Sequence, residues 1–126
     1  AVAILREKEQ PAPNPDFNPR REGIRRFSEM SLAEKEAAVA ADPNYGEIIC
    51  RCETVTRAEI LKAIHNPLGV HTVTGIKNRT RATMGRCQGG YCETRITQMI
   101  EEELGIPETE VRYSKAGSYM FTGKVR

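Results

Sequence analysis

The four cysteines of this chain are grouped in two short segments. One residue separates Cys50 from Cys52, and four residues separate Cys87 from Cys92. A single intervening residue is too short for Cys50 and Cys52 to form an unstrained disulfide with each other. Thiolates are preferred ligands of Zn²⁺ and of iron–sulfur clusters. The spacing therefore predicts one metal site that contains all four sulfur atoms.

The spacing leaves the identity of the metal open. Structural zinc sites usually contain Cys-x₂₋₄-Cys segments, a pattern that fits Cys87 and Cys92 but fits Cys50 and Cys52 poorly. An iron–sulfur cluster is therefore favoured over structural zinc, and thiols without a metal are the third alternative. The two histidines are expected to be ordinary surface or core residues, since four cysteines already complete the site.

The size and composition of the chain limit the kind of protein to which the cysteines belong. With 126 residues there is room for one domain of modest core, but not for a nucleotide-binding domain beside a substrate domain. No apolar run approaches the ~20 residues that span a bilayer, so no direct membrane insertion is expected. The net charge of +2 is too small to indicate nucleic acid binding. Cysteine usage and the lack of a secretory signal predict a cytoplasmic location.

Prolines and capping motifs divide the chain into three predicted parts. Residues 1–29 are expected to contain the end of an upstream domain and an extended linker, because four prolines lie between Gln10 and Arg20. A native N-terminal tail is the alternative interpretation of this part. Residues 30–113 are expected to form the domain that contains the cysteines, and residues 114–126 a tail that is loose or only locally paired.

Four helices are predicted in the central part, so the expected fold class is mainly all-α. Capping boxes at Ser31 and Thr56 begin the first two helices, Thr74 caps the third, and Gly105 ends the fourth. The predicted helices span about residues 31–41, 56–64, 75–83 and 91–104. Short extended segments are predicted at residues 45–49 and 70–73.

These elements place both cysteine segments near helix N-termini. Cys50 and Cys52 precede the second helix, and Cys92 falls in the first turn of the fourth. Unpaired backbone N–H groups at helix N-termini stabilise anions, and a [2Fe–2S] cluster with four thiolates is an anion. The basic run from Lys77 to Arg86 adds positive charge before Cys87, although such a run is most often a solvated helix face.

Two segments of the chain resemble a known family. Residues 45–60 contain Cys-Arg-Cys, and residues 77–92 end in Met-Gly-Arg-Cys-Gln-Gly-Gly-Tyr-Cys. Both resemble the [2Fe–2S] domain related to bacterioferritin-associated ferredoxin, and more narrowly the version at the C-terminus of FAD-dependent dehydrogenases of the anaerobic glycerol-3-phosphate dehydrogenase type. The likeness covers about residues 17–104 and implies a small helical fold around the cluster loops. It assigns the cluster ligands to Cys50, Cys52, Cys87 and Cys92.

The resemblance also implies a function and partners. In such a parent protein the flavin would take two electrons from an alcohol substrate, and the cluster would pass them singly to a downstream acceptor. The expected partners are the flavin domain of the parent and that acceptor. No Gly-x-Gly-x-x-Gly motif for FAD is present, so the fragment is expected to have no catalytic residues of its own. A cytoplasmic parent that associates peripherally with the inner face of the membrane is compatible with this interpretation.

One departure and two alternatives accompany the resemblance. The small ferredoxin has Cys-x-x-Cys as its second pair, whereas four residues separate Cys87 from Cys92, which matches the branch attached to dehydrogenases. The first alternative is a structural or interaction domain that binds zinc through the same four cysteines. The second is a cluster that senses redox state or stabilises the fold without carrying electrons.

Overall fold

Helices dominate the part of the chain that the structure describes. The computed structural model describes residues 14–17, 19–20 and 22–123, so the predicted end of an upstream domain and part of the proline-rich linker lie outside the described residues. The helices are α1 (Leu32–Ala41), α2 (Arg57–Ile64), α3 (Val73–Thr80) and α4 (Glu93–Leu104). The strands are β1 (Ile48–Cys50) and β2 (Val55–Thr56), and short 3-10 helices lie at Phe27–Glu29, Pro43–Gly46 and Glu108–Glu110. The mainly helical fold class is thus confirmed.

The first two helices begin at the capping boxes that the sequence predicts. At the start of α1, the Ser31 hydroxyl accepts from the Glu34 N–H while the Glu34 carboxylate accepts from the Ser31 N–H. Thr56 and Glu59 form the same reciprocal pair at α2. The environments differ, because α1 has no buried residue whereas five of the eight residues of α2 are buried. Only the second capping box therefore lies inside the packed domain.

The start and end of α3 differ from the prediction. Thr72, and not Thr74, is the N-cap, and its hydroxyl accepts from the Gly75 N–H at 3.1 Å. The helix therefore includes Val73, which is fully buried, whereas the sequence predicts an extended segment at this position. It ends at Thr80, because Arg81 adopts a left-handed conformation with φ of 68°. Helix α4 also begins later than predicted, with Cys92 as its N-cap and not in its first turn.

A two-stranded antiparallel sheet carries the first cysteine segment. Ile48 pairs with Thr56, and Cys50 pairs with Val55. The sequence predicts the extended segment before Cys50 but not its partner β2. Cys50 ends β1 and Cys52 lies in the turn between the strands, so one short hairpin contains both cysteines of the first segment.

The core lies between α2, α3 and α4. Its fully buried side chains are mostly β-branched aliphatic residues, and Cys50 and Cys92 belong to the same cluster. The largest members are Ile49, Ile60, Ile76, Ile96 and Ile100. Two cysteines are therefore part of the hydrophobic core itself. Within the described residues, none of the helices has the length and hydropathy of a transmembrane span.

A smaller apolar cluster joins the segment before α1 to α2. The rings of Phe27 and Tyr45 stack with centroids 5.9 Å apart, and both pack with the buried Ala58. The Phe27 N–H donates to the Glu59 carboxylate at 3.2 Å. Glu59, only 1% exposed, also accepts from the N–H and the hydroxyl of Thr56, each at 2.8 Å. One buried carboxylate thus connects the N-terminal segment with the start of α2.

Replacing Glu59 with glutamine is expected to lower the free energy of unfolding by about 2 kcal/mol, because a buried donor loses its acceptor. Urea denaturation measures this change. Glu34→Gln is the matched control, since Glu34 has the same role in the exposed capping box of α1. Equal losses in the two variants would show that burial of the Glu59 network adds nothing to stability.

Candidate metal centre

The structure brings the four cysteines together as two pairs. The Sγ atoms of Cys52 and Cys87 lie 3.4 Å apart. Cys50 and Cys92 share a side-chain hydrogen bond, and all four thiols are free of disulfides. Each pair contains one cysteine from each segment of the sequence. The two segments, which are 35 residues apart at Cys52 and Cys87, therefore meet at one place in the fold.

The two pairs lie in different environments. Cys50 and Cys92 are 1% and 0% exposed, whereas Cys52 and Cys87 are exposed. Within the described residues, no group of three or more His, Cys, Asp or Glu side chains is arranged around one point as for a single metal ion. The arrangement is therefore a buried pair beside an exposed pair.

Burial controls the protonation of Cys92 in the buried pair. It raises the pKa of Cys92 to about 12, and the neighbouring Cys50 raises this pKa further, while a hydrogen bond from the Thr83 backbone N–H acts in the opposite direction. A buried thiolate without a compensating cation is unfavourable in an apolar core. Metal ligation by Cys92 thus requires release of its thiol proton, and metal affinity is expected to rise with pH.

Hydrogen bonds lower the pKa of Cys87 in the exposed pair. The Cys52 thiol is the largest cause that lowers the pKa of Cys87, followed by the backbone N–H of Tyr91 and, more weakly, that of Gly89. The loop can direct these groups at one sulfur atom because Gln88 and Gly89 both have positive φ, at 47° and 89°. Successive N–H groups in such a turn form an anion-binding concavity. These hydrogen bonds accordingly favour Cys87 as a thiolate ligand.

Gly85 lets the two cysteine segments approach each other. A Cβ atom at this position would lie 2.2 Å from the Cβ and 3.4 Å from the Sγ of Cys52. Atoms at 2.2 Å overlap, so no other residue fits without movement of the backbone. Among the described glycines, Gly85 has the tightest contact of this kind.

Two arginine side chains lie over the ring of Tyr91, the residue before Cys92. The Arg51 guanidinium lies over the Tyr91 ring at 4.3 Å from its centroid, and that of Arg95 lies 6.0 Å from it. Arg81, from the predicted basic run, is paired with Glu53 at 2.9 Å. The stacking of Arg51 on Tyr91 was not predicted, although the position of Arg51 between two cysteines is a signal that sequence reasoning could have used.

The histidines lie in contacts unrelated to the thiols. His65 shares a hydrogen bond with Glu103 at 2.8 Å, in which the ring Nε2 faces a carboxylate oxygen. His71 is exposed. Neither side chain takes part in the cysteine pairs described above.

Comparison with known proteins assigns the segment that contains these pairs to a family. Residues 48–102, which include all four cysteines, match the BFD-like [2Fe–2S] binding domain. This segment is a BFD-like [2Fe–2S] binding domain. The family assignment agrees with the resemblance that the two cysteine motifs carry.

The curated relatives are larger proteins that contain this domain. The chain is 46% identical over 111 residues to glycerol 3-phosphate dehydrogenase of Caloramator mitchellensis, which covers 88% of this chain and 23% of that protein. It is 41% identical over 80 residues to hydrogen cyanide synthase subunit HcnB of Pseudomonas aeruginosa, covering 60% of this chain and 16% of that protein. It is 35% identical over 81 residues to anaerobic glycerol-3-phosphate dehydrogenase subunit A1 of Haloferax volcanii, covering 64% of this chain and 13% of that protein.

The chain thus spans less than a quarter of the length of each of these relatives. No solved structure matches it. The domain family and the named relatives together support an iron–sulfur electron-transfer role for this domain.

Proposed function

We propose that this protein is the [2Fe–2S] electron-transfer part of an FAD-dependent dehydrogenase of the glycerol-3-phosphate dehydrogenase type. The cluster ligands in this proposal are Cys50, Cys52, Cys87 and Cys92. When bound, the cluster supplies a site that accepts and releases one electron at a time. The observation that carries the proposal is the arrangement of these thiols as two pairs inside a segment of the BFD-like family.

The donor set fits a cluster in which two metal ions are each held by two thiolates. Two thiolates bound to one tetrahedral metal at ~2.3 Å lie ~3.8 Å apart. The Cys52 and Cys87 sulfur atoms, at 3.4 Å, need to separate only slightly to reach that distance. The N–H groups around Cys87 offset negative charge, and the contact at Gly85 shapes the loop around Cys52. These features support thiolate ligation by both segments.

The difference in exposure between the two cysteine pairs indicates which side of the site exchanges electrons with another protein. The buried pair is shielded by the core, whereas the exposed pair can be reached by another protein. Electron transfer becomes faster as the partner comes closer, so the Cys52 and Cys87 edge is the proposed exchange surface. Arg51, exposed beside it, is the residue proposed to contact an incoming partner.

The proposed parent and its partners follow from the relatives. Glycerol 3-phosphate dehydrogenase of Caloramator mitchellensis matches 88% of this chain, which favours a glycerol 3-phosphate substrate over the chemistry named for HcnB. The proposed partners are a flavin domain that supplies electrons and a downstream acceptor that removes them. The proposed location is the cytoplasm, where thiols stay reduced.

Purification without oxygen after expression with excess iron tests the cluster. We expect a red-brown protein with two iron and two sulfide ions per chain, and visible absorption that dithionite bleaches. A colourless protein with one zinc ion per chain would instead identify the zinc-binding alternative. Chelation and reconstitution with iron and sulfide provide the control for metal lost during purification.

Electron transfer from the flavin of the parent to its acceptor tests the proposed role of the cluster. We expect the reduced flavoprotein parent, mixed with its acceptor, to lose most of its turnover when Cys92 is replaced by serine. Substrate reduction of the flavin should stay unchanged in that variant, since the flavin lies upstream of the cluster. Unchanged turnover with the physiological acceptor would favour a sensing or structural cluster.

A further inference from the structure

Thr83 combines two unfavourable features in one residue. Its side chain is only 3% exposed, and its hydroxyl has no hydrogen-bond partner among the described residues. Its φ is 72°, a conformation that is rare and costly for a β-branched residue. A glycine would adopt this conformation without strain. Neither feature is explained by packing alone, because a buried hydroxyl without a partner lowers stability.

The position of Thr83 relates both features to the thiols. Its backbone N–H donates a hydrogen bond to the Cys92 thiol. Two residues later, Gly85 contacts Cys52. The loop that contains Thr83 therefore touches one cysteine of the buried pair and one of the exposed pair. This places an unpartnered buried hydroxyl beside the proposed cluster site.

We infer that the Thr83 hydroxyl donates a hydrogen bond to a sulfur atom of the bound [2Fe–2S] cluster or of its Cys92 ligand, and so sets the reduction potential. The inference rests on the proposed function, since it requires the cluster. It assigns Thr83 a positioning role, in which the left-handed backbone directs both the N–H and the hydroxyl toward sulfur.

The sign of the effect follows from charge. Reduction adds one negative charge to the cluster, and a donor to sulfur stabilises the more negative state. The hydroxyl is therefore expected to raise the reduction potential. Its removal should lower the equilibrium constant for reduction of the cluster by about tenfold. For a one-electron couple this corresponds to a shift of about 59 mV to more negative potential.

Three substitutions separate the hydroxyl from the shape of the loop. Thr83→Val keeps the β-branched shape and removes the hydroxyl, whereas Thr83→Ser keeps the hydroxyl. Thr83→Gly removes the hydroxyl and also relieves the left-handed backbone, so this variant should fold even if the valine variant does not. We expect the valine and glycine variants to shift the potential in the same direction and the serine variant to remain near the unmodified protein.

Thr74→Val is the matched control. The Thr74 hydroxyl is also buried without a partner in the described residues, but its backbone N–H donates to the Tyr113 carbonyl and not to a thiol. We expect its substitution to leave the potential unchanged. Spectroelectrochemical titration measures the potential, and pulsed electron paramagnetic resonance in deuterated water detects an exchangeable proton near the reduced cluster.

The outcomes distinguish this inference from the proposed function. An unmodified protein without iron and sulfide would refute the proposed function, and the inference with it. Suppose instead that the unmodified protein contains an intact cluster. If Thr83→Val and Thr83→Gly then have the same reduction potential and exchangeable-proton signal as the unmodified protein, only the inference is refuted. A shift in Thr83→Ser as large as that in Thr83→Val would also overturn it, since the hydroxyl is retained.

Discussion

Replacement of Cys92 by serine is expected to reduce the iron and sulfide content of the protein at least tenfold. Cys92 is fully buried at the start of α4, and burial already raises the pKa of its thiol to about 12. A serine hydroxyl is a weaker acid than a thiol, so it cannot ionise in the same apolar position. Iron and acid-labile sulfide, measured after anaerobic reconstitution, report the loss.

Cys52→Ser is the matched comparison for this prediction. Cys52 is exposed, so water can solvate a charged oxygen ligand there, and we expect a measurable fraction of cluster with shifted visible absorption. The contrast between the variants depends on burial, because both exchange sulfur for oxygen. Full cluster content in Cys92→Ser would contradict ligation by the buried pair.

Replacement of Gly85 by alanine is expected to lower the free energy of unfolding by about 3 kcal/mol, the upper part of the range for overpacking. The added Cβ would lie 2.2 Å from the Cβ of Cys52, an atom that cannot move without its backbone. Separation of the two segments should also pull Cys52 away from Cys87, and iron content should fall severalfold. Chemical denaturation and iron analysis measure the two effects.

Gly23→Ala is the control for the loss of a glycine. A Cβ at Gly23 meets nothing within 4 Å, so we expect stability and iron content close to those of the unmodified protein. If Gly85→Ala behaved in the same way, the close approach of the two cysteine segments would not matter for the site.

Local features of the sequence predicted local features of the structure well. The capping boxes at Ser31 and Thr56 are confirmed because each depends on residues three positions apart. The end of α4 at Gly105 is also confirmed, because glycine readily adopts the left-handed conformation that ends the helix there. These signals need no knowledge of the tertiary fold.

The features that the sequence could not predict depend on contacts between distant segments. Thr72 and Thr74 are both suitable N-caps for α3. The structure uses Thr72, so the fully buried Val73 lies in the helix and not before it. The strand β2 exists only because β1 pairs with it. The pairing of each cysteine with one from the other segment likewise depends on how the loops meet. The role of these cysteines as ligands, and the domain boundaries at residues 30 and 113, stay predictions.

The contact between Phe27 and α2 has a consequence for how the protein can be shortened. The family match begins at residue 48, but the Phe27 N–H already donates to Glu59, and the Phe27 ring stacks on Tyr45. A version cut at the family border would uncover Ala58 and remove one donor from the Glu59 carboxylate. The segment that matches the family and the segment that folds together therefore have different borders, and electrochemical work on an isolated domain should retain the longer one.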